Sequence, residues 1–108
     1  MRISVVIPTF NRCSVLTRCL NSVLTQSQAV DEIFVVDNGS TDGTKDLIEG
    51  KYPNVRYIFE PVKGVSRARN IGISHATGEW IALLDSDDRW ERDKIGTLSR
   101  AIEQKKKN

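Results

Sequence analysis

A chain of 108 residues has the length of one compact domain, and 39% hydrophobic with 28% charged residues is the composition of a folded globular protein, which excludes a disordered or fibrous chain. The net charge is only +2, and much of the excess is the run Lys105, Lys106 and Lys107, read as a solvated helix end with its cations at the negative end of the helix dipole, so no nucleic acid is expected as a partner. The apolar run Val5 to Ile7 is too short for a signal-peptide core or a membrane span.

In chain order, Ile3-Ser4-Val5-Val6-Ile7 predicts a first strand that Pro8 stops, because proline cannot donate to a sheet ladder. From Arg12 to Thr25 the apolar positions Val15, Leu16, Cys19, Leu20, Val23 and Leu24 recur with a helical period. Cys13 and Cys19 on this helix are separated by about 9 Å of rise, beyond disulfide reach. Free thiols without a nearby histidine pair suggest a reducing, cytoplasmic compartment and no zinc site.

Glu32 to Val36 predicts a second strand, and the turn-rich Asp37 to Thr44 leads into a short helix near Asp42 to Glu49. Val55 to Phe59 predicts a third strand. Ser66 to His75 predicts a third helix with Ala68, Ile71 and Ala76 inward, ended by Gly78; His75 is a helix-end residue without a catalytic role. Trp80 to Leu84 is almost uninterrupted apolar sequence, as in a central strand covered on both faces, and a last helix from about Glu91 carries Ile95, Leu98 and Ile102 on one stripe. Trp80 and Trp90 are expected to pack.

The order β-α-β-α-β-α-β-α predicts an α/β fold of three layers with a mostly parallel central sheet. In such sheets ligands bind beyond the carboxyl ends of the strands. Thr9 to Arg12, Asp37 to Gly39 and Asp85 to Asp88 should therefore be spatial neighbours.

Asp85, Asp87 and Asp88 follow a buried strand, and their mutual repulsion calls for a neutralising cation; hard ions such as Mg²⁺ or Mn²⁺ take oxygen ligands and often use one or two carboxylates. The alternative is that Asp87 or Asp88 caps the last helix. Asp37 suits a ribose hydroxyl or a base N–H, or forms an Asx turn. Arg67 and Arg69 sit where a helix start favours anions, or make surface ion pairs. No glycine-rich dinucleotide fingerprint and no Walker sequence is present.

Together, Val6-Ile7-Pro8-Thr9-Phe10-Asn11-Arg12, Val35-Val36-Asp37-Asn38-Gly39-Ser40-Thr41-Asp42, Gly64-Val65-Ser66-Arg67-Ala68-Arg69-Asn70 and Leu83-Leu84-Asp85-Ser86-Asp87-Asp88 resemble the family 2 glycosyltransferases of the GT-A fold, from Arg2 to about Ile102. The resemblance implies a Rossmann-like GT-A half-domain, a UDP- or TDP-sugar donor, Mn²⁺ or Mg²⁺, and inverting transfer to a glycan or lipid-linked acceptor, with the protein in the cytoplasm or at the inner face of the membrane. It assigns Pro8, Thr9 and Asn11 to the nucleotide loop, Asp37 to the base, and Arg69, ahead of Arg67, to the nucleotide side. Asp85 and Asp87 match the Asp-x-Asp motif, the first reaching ribose or metal and the second holding the ion, with Asp88 as a helper.

Residues 1–104 are then the nucleotide-sugar-binding portion and 105–108 a basic tail. The acceptor-binding half, with the general base, is expected beyond Asn108, and an uncovered apolar surface is expected to favour self-association. Alternatives are a non-catalytic remnant or interaction domain and a nucleotidyltransferase.

Overall fold

The computed structural model describes residues 2–107; the side chains of Lys106 and Lys107 lie outside that description, and Lys105 is exposed. Among these residues four strands and four helices alternate: β1 (Ile3–Thr9), α1 (Cys13–Leu24), β2 (Glu32–Asp37), α2 (Thr44–Lys51), β3 (Val55–Phe59), α3 (Val65–His75), β4 (Trp80–Leu83) and α4 (Lys94–Lys107). The strands pair in the order β3-β2-β1-β4, all in parallel.

Side chains alternate across β1 and β2, so each strand serves two cores. Val5, Ile7, Ile33 and Val35 meet Leu16, Cys19, Leu20 and Val23 of α1 and Ile48 of α2. Val6, Phe34 and Val36 meet Ala68 of α3 on the opposite face. Helices on both faces of a parallel sheet give the expected three layers. Gly72 lets α3 lie close to the sheet, since a Cβ there would come within 2.3 Å of Val6 Cγ1.

The chain moves outward from β1 through β2 to β3, then returns to place β4 on the other side of β1. That reversal puts the crevice of an open α/β sheet at the carboxyl ends of β1 and β4. Pro8 helps to open it. It does not stop β1, which continues to Thr9 with Pro8 opposite Val36. Thr9 O accepts from the β2-side Asn38 N–H, whereas Val6 O accepts from Leu84 N–H, so the hydrogen that Pro8 lacks would point toward β4. The β1–β4 ladder ends there, and the chains are free to diverge.

Four expectations about the C-terminal third are corrected. β4 is an edge of this sheet rather than a central strand, and Trp80, Ile81 and Leu83 are 41%, 37% and 47% exposed. A short apolar run reads alike in either place, and β1 and β2 hold the centre. Trp80 therefore does not pack inside, whereas half-buried Trp90 does pack against the α1-side core. The last helix starts at Lys94, not Glu91, because α1 and the residues just after it pin the preceding loop: Trp90 N donates to Ser22 Oγ, Gln26 Nε2 to Glu91 O, and Ser27 N to Arg92 O. Gln26 Oε1 then accepts from Ile95 N. Nor does Gly78 end α3, whose C-cap is Ala76; Gly78 admits a close approach, since a Cβ would lie 2.8 Å from Ser4 N.

Candidate functional site

The loops after β1 and β2 are bolted together. Asn38 N donates to Thr9 O, Asn11 N to Ser40 Oγ at 2.8 Å, and Thr41 N to Asn11 Oδ1 at 2.8 Å. Asn11 adopts φ 51°, a left-handed conformation that asparagine tolerates better than most residues. Asp42 reaches back to accept from Cys13 N at the start of α1 and also accepts from the Thr44 hydroxyl. Burial pushes the Asp42 carboxyl up, but these bonds outweigh it and hold the group below its ordinary range.

Asp37 is buried beneath this brace. Its Oδ1 accepts from Ser40 N and Oγ, and its Oδ2 accepts from Tyr57 OH at 2.6 Å. Burial, and then the bond to Asp37, push the Tyr57 phenol well above its usual range. Asp37 thus makes the Asx-type turn that was one of its two readings.

On the other side of β1, Arg69 from α3 reaches across to Asp85 at the end of β4. Arg69 Nη2 and Asp85 Oδ1 are 2.8 Å apart. Residues 85 to 88 form a turn, with Asp88 N donating to Asp85 O, and α4 starts six positions beyond Asp88, so neither Asp87 nor Asp88 caps that helix. Beneath the turn, Cys19 Sγ lies 3.6 Å from Asp85 O. Burial, followed by the negative charges of Asp88, Asp87 and Asp85, pushes the thiol up to about 12.

Pro8, Thr9, Arg69, Asp85 and Asp87 line one open cleft of about 520 Å³, together with Phe10, Arg12, Asn38, Lys63 and Gly64. Asn11 braces its rim and Asp37 lies behind the lining, so neither contributes to the cleft wall. Arg67 is turned away, with Nε 3.6 Å from Glu60. Two polar atoms of lining residues are buried without a partner among the described residues: Thr9 Oγ1 and Arg69 Nε.

Lys63 was not singled out by sequence. Its Nζ donates to Asn38 O at 2.8 Å and stands 3.7 Å from the Phe10 ring centroid. The only sequence signal was its place just before Gly64, where the third motif begins.

For a divalent ion, Asp85 and Asp87 offer exposed hard oxygens on the cleft wall. Among the described residues no group of three or more His, Cys, Asp or Glu side chains is placed to hold a metal. The donor set fits an ion held by one or two carboxylates that takes its remaining ligands from water and ligand phosphates.

The model of Glycosyl transferase family 2 matches residues 4–108. The chain belongs to this family. An uncharacterized glycosyltransferase of Nostoc sp. is 41% identical over 99 residues, which cover 88% of the chain and 31% of the relative. Among solved structures, TarS of S. aureus (residues 1–349) superposes with a TM-score of 0.88 at 31% identity, covering 96% of this chain and 33% of that one, and has been crystallised with UDP and with UDP-GlcNAc. A mannosyltransferase of Pyrobaculum calidifontis, solved with GDP-Man and Mn²⁺, gives a TM-score of 0.76 at 30% identity over 94% of this chain and 31% of its own. The chain spans about a third or less of the length of these proteins. No described helix is long and apolar enough to cross a membrane.

Proposed function

We propose that the cleft is the donor site of a glycosyltransferase and binds a nucleoside-diphosphate sugar, a UDP- or TDP-sugar, together with Mn²⁺ or Mg²⁺. The observation that carries this reading is the Arg69–Asp85 pair across the mouth between β1 and β4, in the cleft that Pro8, Thr9 and Asp87 also line. Family membership and the nucleotide-sugar complexes of the structural relatives support it, and favour it over a nucleotidyltransferase.

In this reading Pro8 and Thr9 form the nucleotide-side wall, with Asn11 as its brace. Asp37 contributes by fixing the β2 loop, and a direct contact to the base would require it to share an oxygen already engaged by Ser40 or Tyr57. Arg69 holds Asp85 in place on the cleft wall, with Asp85 directed at ribose or ion. Asp87 holds the cation, which when bound offsets the negative charge that develops on the diphosphate as the sugar leaves. Inverting transfer to a glycan or lipid-linked acceptor would take place at the cytoplasmic face of the membrane.

Calorimetric titration with UDP and with TDP, each with and without Mn²⁺, tests the reading. Metal-dependent binding of either is expected, and no binding of any diphosphate in the presence of metal would refute it. Sugar transfer or donor hydrolysis by the purified chain would exclude the non-catalytic alternative. The bare side chains of β4 support self-association through that edge; a monodisperse monomer at high concentration in the ultracentrifuge would count against it.

A further inference from the structure

On the other side of the acidic turn from the cleft lies a second groove, of about 550 Å³, between the outer face of α1 and the loop that precedes α4. Its walls carry Arg18, Arg89 and Arg92, with Trp90 and Glu91 between them. Five of the chain's arginines are committed elsewhere: Arg2 and Arg56 to Glu32, Arg67 to Glu60, Arg69 to Asp85, and Arg100 to Asp93. The three groove arginines, all exposed, have no carboxylate within ion-pairing distance among the described residues.

Arg18 donates from Nη2 to Asp87 O at 3.3 Å, and so stands directly behind a residue that lines the cleft. The loop that carries the other two is rigidly seated, since Ser22, Gln26 and Ser27 each bond to its backbone. The groove therefore presents three guanidinium groups on a fixed frame around a half-buried indole.

We propose that this groove binds a saccharide that carries acidic groups, either carboxylates or phosphates. Guanidinium forks match both groups with paired hydrogen bonds, and an indole face offers an apolar platform with a polar edge to a sugar ring. A nucleic-acid strand fits less well, because Glu91 on the groove wall and Asp87 beside Arg18 would repel a continuous phosphate backbone leaving it. Binding itself does not depend on the donor reading. Only the further role does: with the donor in the cleft, a saccharide held across Asp87 would be the acceptor.

The test uses the full chain with Trp80→Phe, which leaves Trp90 as its only tryptophan. Trp90 fluorescence is titrated with tetragalacturonate, a glycerol-phosphate tetramer, maltotetraose and a thymidine hexanucleotide. At least one acidic saccharide probe should bind, and which of the two does so identifies the acid group. The affinity should fall with added salt, maltotetraose should bind at least tenfold more weakly, and Arg89→Gln/Arg92→Gln should weaken the acidic probe at least tenfold. The double variant should keep the thermal melt of the parent and bind UDP with Mn²⁺ as the parent does. Equal binding of maltotetraose, an unaffected double variant, binding of the hexanucleotide alone, or no binding of either acidic probe would overturn the proposal. If UDP fails to bind the parent, the donor reading falls while the groove result stands by itself.

Discussion

Arg69 on α3 and Asp85 at the end of β4 meet at 2.8 Å, and this pair spans the point where the sheet order reverses. It is partly exposed, so its worth as an ion pair is small. Its importance is positional: it fixes a carboxylate and a guanidinium side by side on the cleft wall.

Replacing Arg69 with Gln should therefore change binding much more than stability. A hydrogen bond to a charged group is worth about 1.5–3 kcal/mol, roughly tenfold to a hundredfold in affinity. Calorimetry with UDP and Mn²⁺ should show that loss, while the thermal midpoint moves little. A large fall in midpoint with unchanged affinity would make the pair structural only.

Gly72→Ala should destabilise the fold, although alanine is the better helix former by about 1 kcal/mol. The added Cβ would stand 2.3 Å from Val6 Cγ1, and overpacking of this kind costs about 1–3 kcal/mol. Val6→Ala in the same chain should recover part of the loss. Denaturant unfolding of the two variants checks both signs.

Glu32 should make the fold acid-sensitive. The Thr77 N–H first, and then the Ser4 hydroxyl, hold its carboxyl at about 2 against an ordinary 4.5, overcoming the upward push of burial. Because the folded value is depressed, the stabilisation is complete above the unfolded value near 4.5 and is lost as the pH falls toward 2. The melting difference between the wild type and Glu32→Gln should accordingly be largest near neutrality and shrink below pH 4.5. A constant difference from pH 7 to pH 2.5 would contradict this account.

The two thiols should react unequally. Cys19 is fully buried and pushed up to about 12, while Cys13 is partly exposed. Since the thiolate is the reactive form, Ellman's reagent at neutral pH should titrate one thiol rapidly in the native chain and both in denaturant.

Much of this was legible in sequence because the signals were local. The period of Leu16, Leu20 and Val23, the buried runs of β1 and β2, and the strand-helix alternation each depend on near neighbours, and the four motifs carried the family. What failed was set by distant partners. The start of α4 was misread because Ser22, Gln26 and Ser27 of the α1 segment hold residues 90 to 92 out of the helix. β4 was read as central because an apolar run does not say what lies beside it. Pro8 was read as a stop because the side of the strand on which its missing hydrogen falls is a property of the ladder. That Asp37 and Asn11 also brace the loops after β1 and β2 depends in the same way on partners such as Ser40, Thr41 and Tyr57. The arginine groove was invisible, since which arginines lack a carboxylate emerges only after folding.

The most direct test of the central claim is the electron paramagnetic resonance signal of free Mn²⁺, followed as the chain is added with and without UDP. The donor-site account predicts that the wild type removes free Mn²⁺ far more strongly when UDP is present than chain or UDP does alone, and that Asp87→Ala abolishes this excess. An Asp87→Ala chain that sequesters Mn²⁺ and UDP as well as the wild type would contradict it.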